Sequence, residues 1–180
     1  SLHDALPIWT EPGNDPSDEE TKTGKTILKV FNRGNLFKVT GISHKVGSND
    51  PIYAGSHFTW GEATKKGKRR PVNAKISSKI VAFAKYMDEV RAHLGDKPLR
   101  ITSWYRDPIS NRQVNGAPRS YHLTGGAVDF YKTGEDPVDT FKKLKQFHKG
   151  GLAVGNGFVH IDDGPNRRWR YPRGPKIPLW

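Results

Sequence analysis

Residues 120–130 read SYHLTGGAVDF and residues 157–165 read GFVHIDDGP. Both end in a short β-branched or aromatic run of the kind that forms strands. Side chains alternate across a strand, so Val128 and Phe130 share one face while Ala127 and Asp129 share the other. In the second run Val159 and Ile161 face one way, and His160 and Asp162 the other, about 7 Å apart along the strand. Gly125 and Gly126 let the chain turn between His122 and the first strand. A carboxylate flanked by apolar residues on a core strand is costly to bury unpaired. An arginine or a metal ion would each satisfy Asp129, and the spacing alone leaves both open.

Working outward, Ile76, Ile80, Phe83, Ala84, Met87, Val90 and Leu94 recur at three- and four-residue steps. They predict a long helix starting near Asn73 and stopped by Gly95. A second helix is predicted over 137–147, with Val138, Phe141, Leu144 and Phe147 inward and Gly150 and Gly151 after it. Strands are expected at 99–103, 127–130 and 158–161. Upstream, TILKVF (26–31) and LFKVTGI (36–42) read as a hairpin closed by residues 32–35. Residues 10–24 are acidic, rich in Pro and Gly, and without apolar periodicity. Three segments follow: a disordered 1–24, a short β-rich extension at 25–55, and a principal domain at 56–180. Helices and strands do not alternate strictly. The expected class is therefore α+β, a mainly antiparallel sheet with flanking helices.

The chain has 180 residues, with 30 Lys and Arg against 18 Asp and Glu, a formal charge of +12. Such a surface is drawn to polyanions, whether nucleic acid, anionic lipid or an envelope polymer. Cysteine is absent, which excludes disulfides and thiolate metal ligands. No apolar run approaches the roughly 20 residues that span a bilayer. Residues 1–8 are too short and polar for an export signal, and the N-terminus is expected to be incomplete.

Among seven histidines, His122 and His160 stand out because each accompanies a carboxylate on an apolar strand. Two histidines and one carboxylate make a three-ligand set with an open fourth position, the pattern of catalytic zinc. Arg106 ends ITSWYR just beyond a strand, where it can bind a substrate carboxylate or an oxyanion. The alternative for Arg106 is a salt bridge to Asp107, Asp129 or Asp162.

SWYRDPISNRQVNGAPRSYHLTGGAVDF (103–130), with GFVHIDDGP, resembles the zinc D-alanyl-D-alanine carboxypeptidase family of metallopeptidases, in the type whose catalytic domain is C-terminal. The resemblance spans roughly residues 56 to 170. It implies the hedgehog/DD-peptidase zinc fold for 56–180, with His122, Asp129 and His160 as the metal ligands. It also implies a substrate- and oxyanion-binding role for Arg106 and a substrate-side hydrogen bond for Ser120, whose alternative is capping the turn after Pro118. Many relatives place an acid three residues before the last His ligand, or a second His two residues before it. Those positions are Gly157 and Phe158 here, as in a branch of murein endopeptidases with a similar FVHxDxG ending. Asp162 is left as the expected general base, with second-shell orientation of a ligand as its alternative. His148 and Glu135 are more distant candidates.

The resemblance thus implies a Zn2+ enzyme that hydrolyses peptidoglycan stem peptides, expected as a D-alanyl-D-alanine carboxypeptidase. The alternatives are a murein endopeptidase and a non-catalytic, metal-containing wall-binding module. The expected partners are the stem peptide and, through Lys65 to Arg70 and the tail after Trp169, anionic wall polymer. Nucleic-acid binding rests only on charge and on the aromatics Trp104 and Tyr105, with no motif to support it. A monomer in the periplasm or cell wall is expected.

Overall fold

The computed structural model describes residues 20–23, 26–29 and 32–180. The expectations for residues 1–19, including the export signal and most of the disordered segment, lie outside them. The chain forms strands β1 (Glu20–Thr23), β2 (Thr26–Lys29), β3 (Leu36–Lys38) and β4 (Lys45–Gly47), then helices α1 (Trp60–Thr64) and α2 (Ala74–His93). Strand β5 (Leu99–Ser103) and helix α3 (Pro108–Gln113) precede a 3-10 turn at Tyr121–Thr124. There follow β6 (Ala127–Lys132), α4 (Pro137–Phe147), β7 (Gly151–Val154), β8 (Val159–Asp162) and β9 (Arg167–Arg170).

A five-stranded sheet in the order β5-β6-β8-β7-β9 carries the molecule. All its pairings are antiparallel except β7 with β9, which is parallel. The class is α+β, as expected. Val128, Phe130, Leu152, Val154, Val159 and Ile161 leave one face of this sheet and are fully buried in the core. Helix α4 lies against it with Phe141 and Leu144 buried. The long helix α2 adds Ile80, Phe83, Met87 and Val90, and Phe83 meets Trp104 edge-on at 6.3 Å. Asn73 caps α2 by accepting from the Ile76 amide, and Gly95, at φ +89°, follows its end.

The N-terminal hairpin is corrected. Strand β3 pairs with β4, and β2 pairs with β1. Residues 32–35 do not close a turn between β2 and β3. They are tied to 48–50, because the Ser48 and Asn49 amides donate to the Asn35 and Arg33 carbonyls and Arg33 pairs with Asp50. That arrangement puts Phe37, Val39 and Val46 into the common core. Residues 20–23 also form a strand inside the stretch expected to be disordered. Thr21 and Thr23 are β-branched, and the TILK run supplies backbone groups to pair with.

The sheet's other face is polar in two adjacent rows. The register aligns Ser103, Asp129, His160, Ala153 and Trp169 in one row. The second row is Ala127, Asp162, Gly151 and Arg167. Small residues flank the polar ones because there is no room for more. A Cβ on Gly151 would lie 2.5–2.7 Å from the Asp162 carboxylate.

Candidate metal centre

His122, Asp129 and His160 offer ligand atoms that all lie within 4.8 Å of one another, and all three residues are buried. The 3-10 turn brings His122 in from outside the sheet. Ser120 caps that turn by accepting from the His122 amide (3.3 Å), and Gly125, at φ +82°, ends it. A Cβ at Gly125 would sit 2.7 Å from Ile80, so glycine is required there both by φ and by packing. Asp129 and His160 are direct partners on β6 and β8.

Each imidazole has one nitrogen tied down. His122 Nδ1–H donates to the Trp104 carbonyl at 2.6 Å, which leaves Nε2 with its lone pair. That Nε2 is buried with no hydrogen-bond partner, although it lies 3.2 Å from Asp129 Oδ1. A buried polar atom left unpaired is costly, and a metal ion is the partner that suits a lone pair beside a carboxylate. His160 Nε2–H donates to Asp162 Oδ2 at 2.9 Å, and Nδ1 faces Asp129 Oδ1 at 2.7 Å. This is the carboxylate–histidine pairing that orients a metal ligand from behind.

Electrostatics point the same way. Burial works to raise the Asp129 pKa, but its interactions with His122 and His160 outweigh it and hold the carboxyl well below the usual range. Burial pushes His122 down, favouring the neutral ring that a metal needs. Burial also works to lower His160, yet its hydrogen bonds to Asp129 and Asp162 leave it raised.

Arg106 makes the ion pair to Asp129, one of the three salt bridges named as the alternative to a substrate role. Its Nη2 donates to Asp129 Oδ2 at 2.8 Å and its Nε to Ser103 Oγ at 2.9 Å. Asp162 lies on the far side of the His160 ring from Asp129. It is fully buried and accepts from His160, the Gly164 amide and both terminal nitrogens of Arg167. Ser120 is placed at the turn that carries His122. Glu135 and His148 are not brought in. Glu135 pairs with Lys132 and Lys143. His148 is enclosed by the Tyr86 hydroxyl and the Gly151 and Asp162 carbonyls.

Two participants carried no sequence signal. The Trp104 carbonyl is a backbone atom, and Arg167 belongs to no metal pattern. Arg167 also sits over the Tyr121 and Trp169 rings at 5.2 and 4.8 Å. The parallel pairing of β9 with β7 could have been suspected from the apolar LAV run at 152–154. Trp104 and Tyr105 are each 1% exposed, so neither offers a face on which a base could stack. Among the described residues no helix is long and apolar enough to cross a membrane.

Residues 49–162, more than half of the chain, match the family model described as Peptidase M15. The peptidoglycan L,D-endopeptidase MepK of Escherichia coli is 34% identical over 80 residues, covering 41% of this chain and 44% of that protein. The probable peptidoglycan L,D-endopeptidase MepK of Haemophilus influenzae is 29% identical over 97 residues, covering 49% and 52%. The chain thus spans about half the length of the curated relatives it matches. The family match encloses Arg106, His122, Asp129, His160 and Asp162, and with it the chain belongs to the peptidase M15 family.

Proposed function

We propose that this protein is a zinc-dependent endopeptidase that cleaves peptide bonds in peptidoglycan stem peptides. The observation that carries this reading is the buried, unpaired His122 Nε2 beside Asp129 and His160, with the far nitrogen of each imidazole tied to an acceptor. The curated relatives are named as endopeptidases, and this favours internal cleavage over the carboxypeptidase activity expected from sequence. A zinc ion held by the three ligands would supply Lewis acidity, polarising a carbonyl and acidifying water.

The chain's own residues do the rest. Arg106 fixes Asp129 through Oδ2 and places a guanidinium beside the cluster, where it binds an oxyanion. Asp162 is a positioning residue, because it holds the His160 ring from the side opposite the ligand atom and its lone pairs are already engaged. Ser120 sets the turn that presents His122. Trp169 and Tyr171 stand 5.2 and 6.0 Å from the His160 ring and shelter it from water.

Zinc-loaded protein incubated with purified muropeptides, followed by mass analysis, tests this. Cleavage within the stem or cross-link is expected. Loss of a single terminal alanine would move the assignment to carboxypeptidase. Zinc content without any turnover would leave only a metal-containing binding module.

A further inference from the structure

The basic run Lys65 to Arg70 is folded back on itself beside the metal centre. Helix α1 ends at Thr64, and Lys65, Lys66 and Gly67 all take left-handed backbone angles, with φ of 52, 55 and 81°. Lysine rarely adopts that region, so two in succession mark a loop held by its surroundings. Hydrogen bonds hold the loop in place: the Lys66 amide donates to Gly61, the Arg69 amide to Thr64, and the Gly67 amide to the Thr64 hydroxyl. Gly67 packs where a Cβ would meet the Phe37 ring at 2.7 Å.

Between this loop and β5 lies a cleft of about 520 Å3. Lys65, Lys66, Lys68 and Arg69 line it together with Ile101 to Tyr105. Strand β5 is an outer strand of the sheet, so this cleft follows an edge along which an extended peptide can run. The same wall supports the metal centre. Ser103 is the strand partner of Asp129 and anchors Arg106, and the Trp104 carbonyl holds His122.

Arg69 is half-buried and its guanidinium has no hydrogen-bond or ion-pair partner among the described residues. Burial and the like charge of Arg106 both act against its protonated form and outweigh the nearby carboxylate of Asp107, which itself caps α3 through Ser110. The acid on the cleft wall, Glu62, is occupied with the Thr59 amide and hydroxyl in the α1 capping box. A desolvated cation facing a cleft beside a second cation is stabilised by an anion.

We infer that this cleft is a subsite for a carboxylate on the substrate, with Arg69 as its bidentate donor and the three lysines setting the field around it. The inference rests on the peptidase reading, because the cleft is placed to take the part of the peptide next to the cleaved bond. Arginine suits the role, since its planar fork matches a carboxylate while an ammonium presents a point charge.

Binding of two probes to the full chain tests this by calorimetry. One is a stem tripeptide with a free D-glutamyl carboxylate, and the other is the same peptide with that carboxylate amidated. The wild type is expected to prefer the acid by about tenfold or more, the scale of a charged hydrogen bond. In Arg69→Gln the preference should collapse toward unity, and Arg69→Lys should keep part of it. Equal affinity of the wild type for acid and amide overturns the subsite, as does an Arg69→Gln variant that keeps the full preference. A wild type that discriminates between the probes but cleaves no muropeptide would sink the peptidase reading and leave the subsite standing. Turnover without discrimination does the reverse.

Discussion

One carboxylate is at work near the start of strand β6 and another just past its end, and the two differ in what surrounds them. Near its start, Asp129 meets His122, His160 and Arg106, with its side chain 8% exposed. Just past its end, Glu135 meets Lys132, Lys143 and the Thr140 hydroxyl, with its side chain 13% exposed. Both carboxyls are held below their ordinary range by neighbouring positive groups. Charge and acidity therefore do not tell them apart. What separates them is unmet valence. Around Glu135 every donor has its acceptor, while around Asp129 a buried imidazole nitrogen has none. A site that needs a further ion shows itself by the partner it lacks.

The sharpest way to break this contrast is at the unmet valence itself. His122→Ala removes the orphaned nitrogen, and His160→Ala removes its neighbour. Either should abolish tight zinc binding. Wild-type protein should gain about 2.7 kcal/mol of stability at zinc a hundredfold above its dissociation constant, and the variants none. Metal analysis and thermal unfolding with and without zinc decide it. Variants that both retain full zinc would mean that the ligands are elsewhere.

Arg106→Lys probes the arginine that braces the Asp129 side. Charge is kept, but the fork that spans Ser103 and Asp129 is lost. Turnover on muropeptides should fall by about 10²-fold, as when an oxyanion donor is removed. Zinc content should stay near one per chain. Unchanged turnover would remove Arg106 from the reaction.

Asp162→Asn comes next, and it separates two roles that the sequence left open. A positioning residue behind His160 should cost about 10- to 100-fold in metal affinity, with activity partly restored by excess zinc. A general base would instead leave zinc bound and lower turnover beyond rescue. The geometry favours the first outcome, because Asp162 contacts the nitrogen of His160 that points away from Asp129.

The cluster of His122, Asp129 and His160 was legible because strand alternation exposes polar residues on an otherwise apolar run. His160 and Asp129 break the pattern of β8 and β6, and a glycine pair sets His122 at the turn. The residues that orient the trio were not legible, for a physical reason. Trp104 contributes a carbonyl that every residue has, and Arg167 reaches Asp162 only because β9 pairs parallel to β7 across Gly151. The helices α2 and α4 followed from period and caps, whereas the short α1 and α3 offer too few turns to show one. The pairing of β3 with β4 depended on which apolar side chains could reach the core, which a local pattern does not record.

The smallest expected effect lies at the other end of the comparison. Burial works to raise Glu135, but its hydrogen bonds from Lys132, Lys143 and Thr140 hold it down at about 2, against an ordinary 4.5. A carboxyl whose folded pKa is depressed stabilises the fold above its unfolded pKa. That contribution fades as the pH falls from about 4.5 to about 2, where the folded form too takes up its proton. Lys143 is half-exposed, so solvent screens much of its pairing, and the stabilisation is of order 1 kcal/mol. Glu135→Gln should therefore lower stability slightly at neutral pH and flatten the acid limb of the stability curve between those values. Denaturant unfolding at a series of pH values measures this. Metal affinity and turnover should not change, since Lys132 ends β6 and Glu135 lies beyond it, away from Asp129. Loss of zinc in Glu135→Gln would mean that the two ends of the strand are coupled, and that the satisfied cluster is part of the site after all.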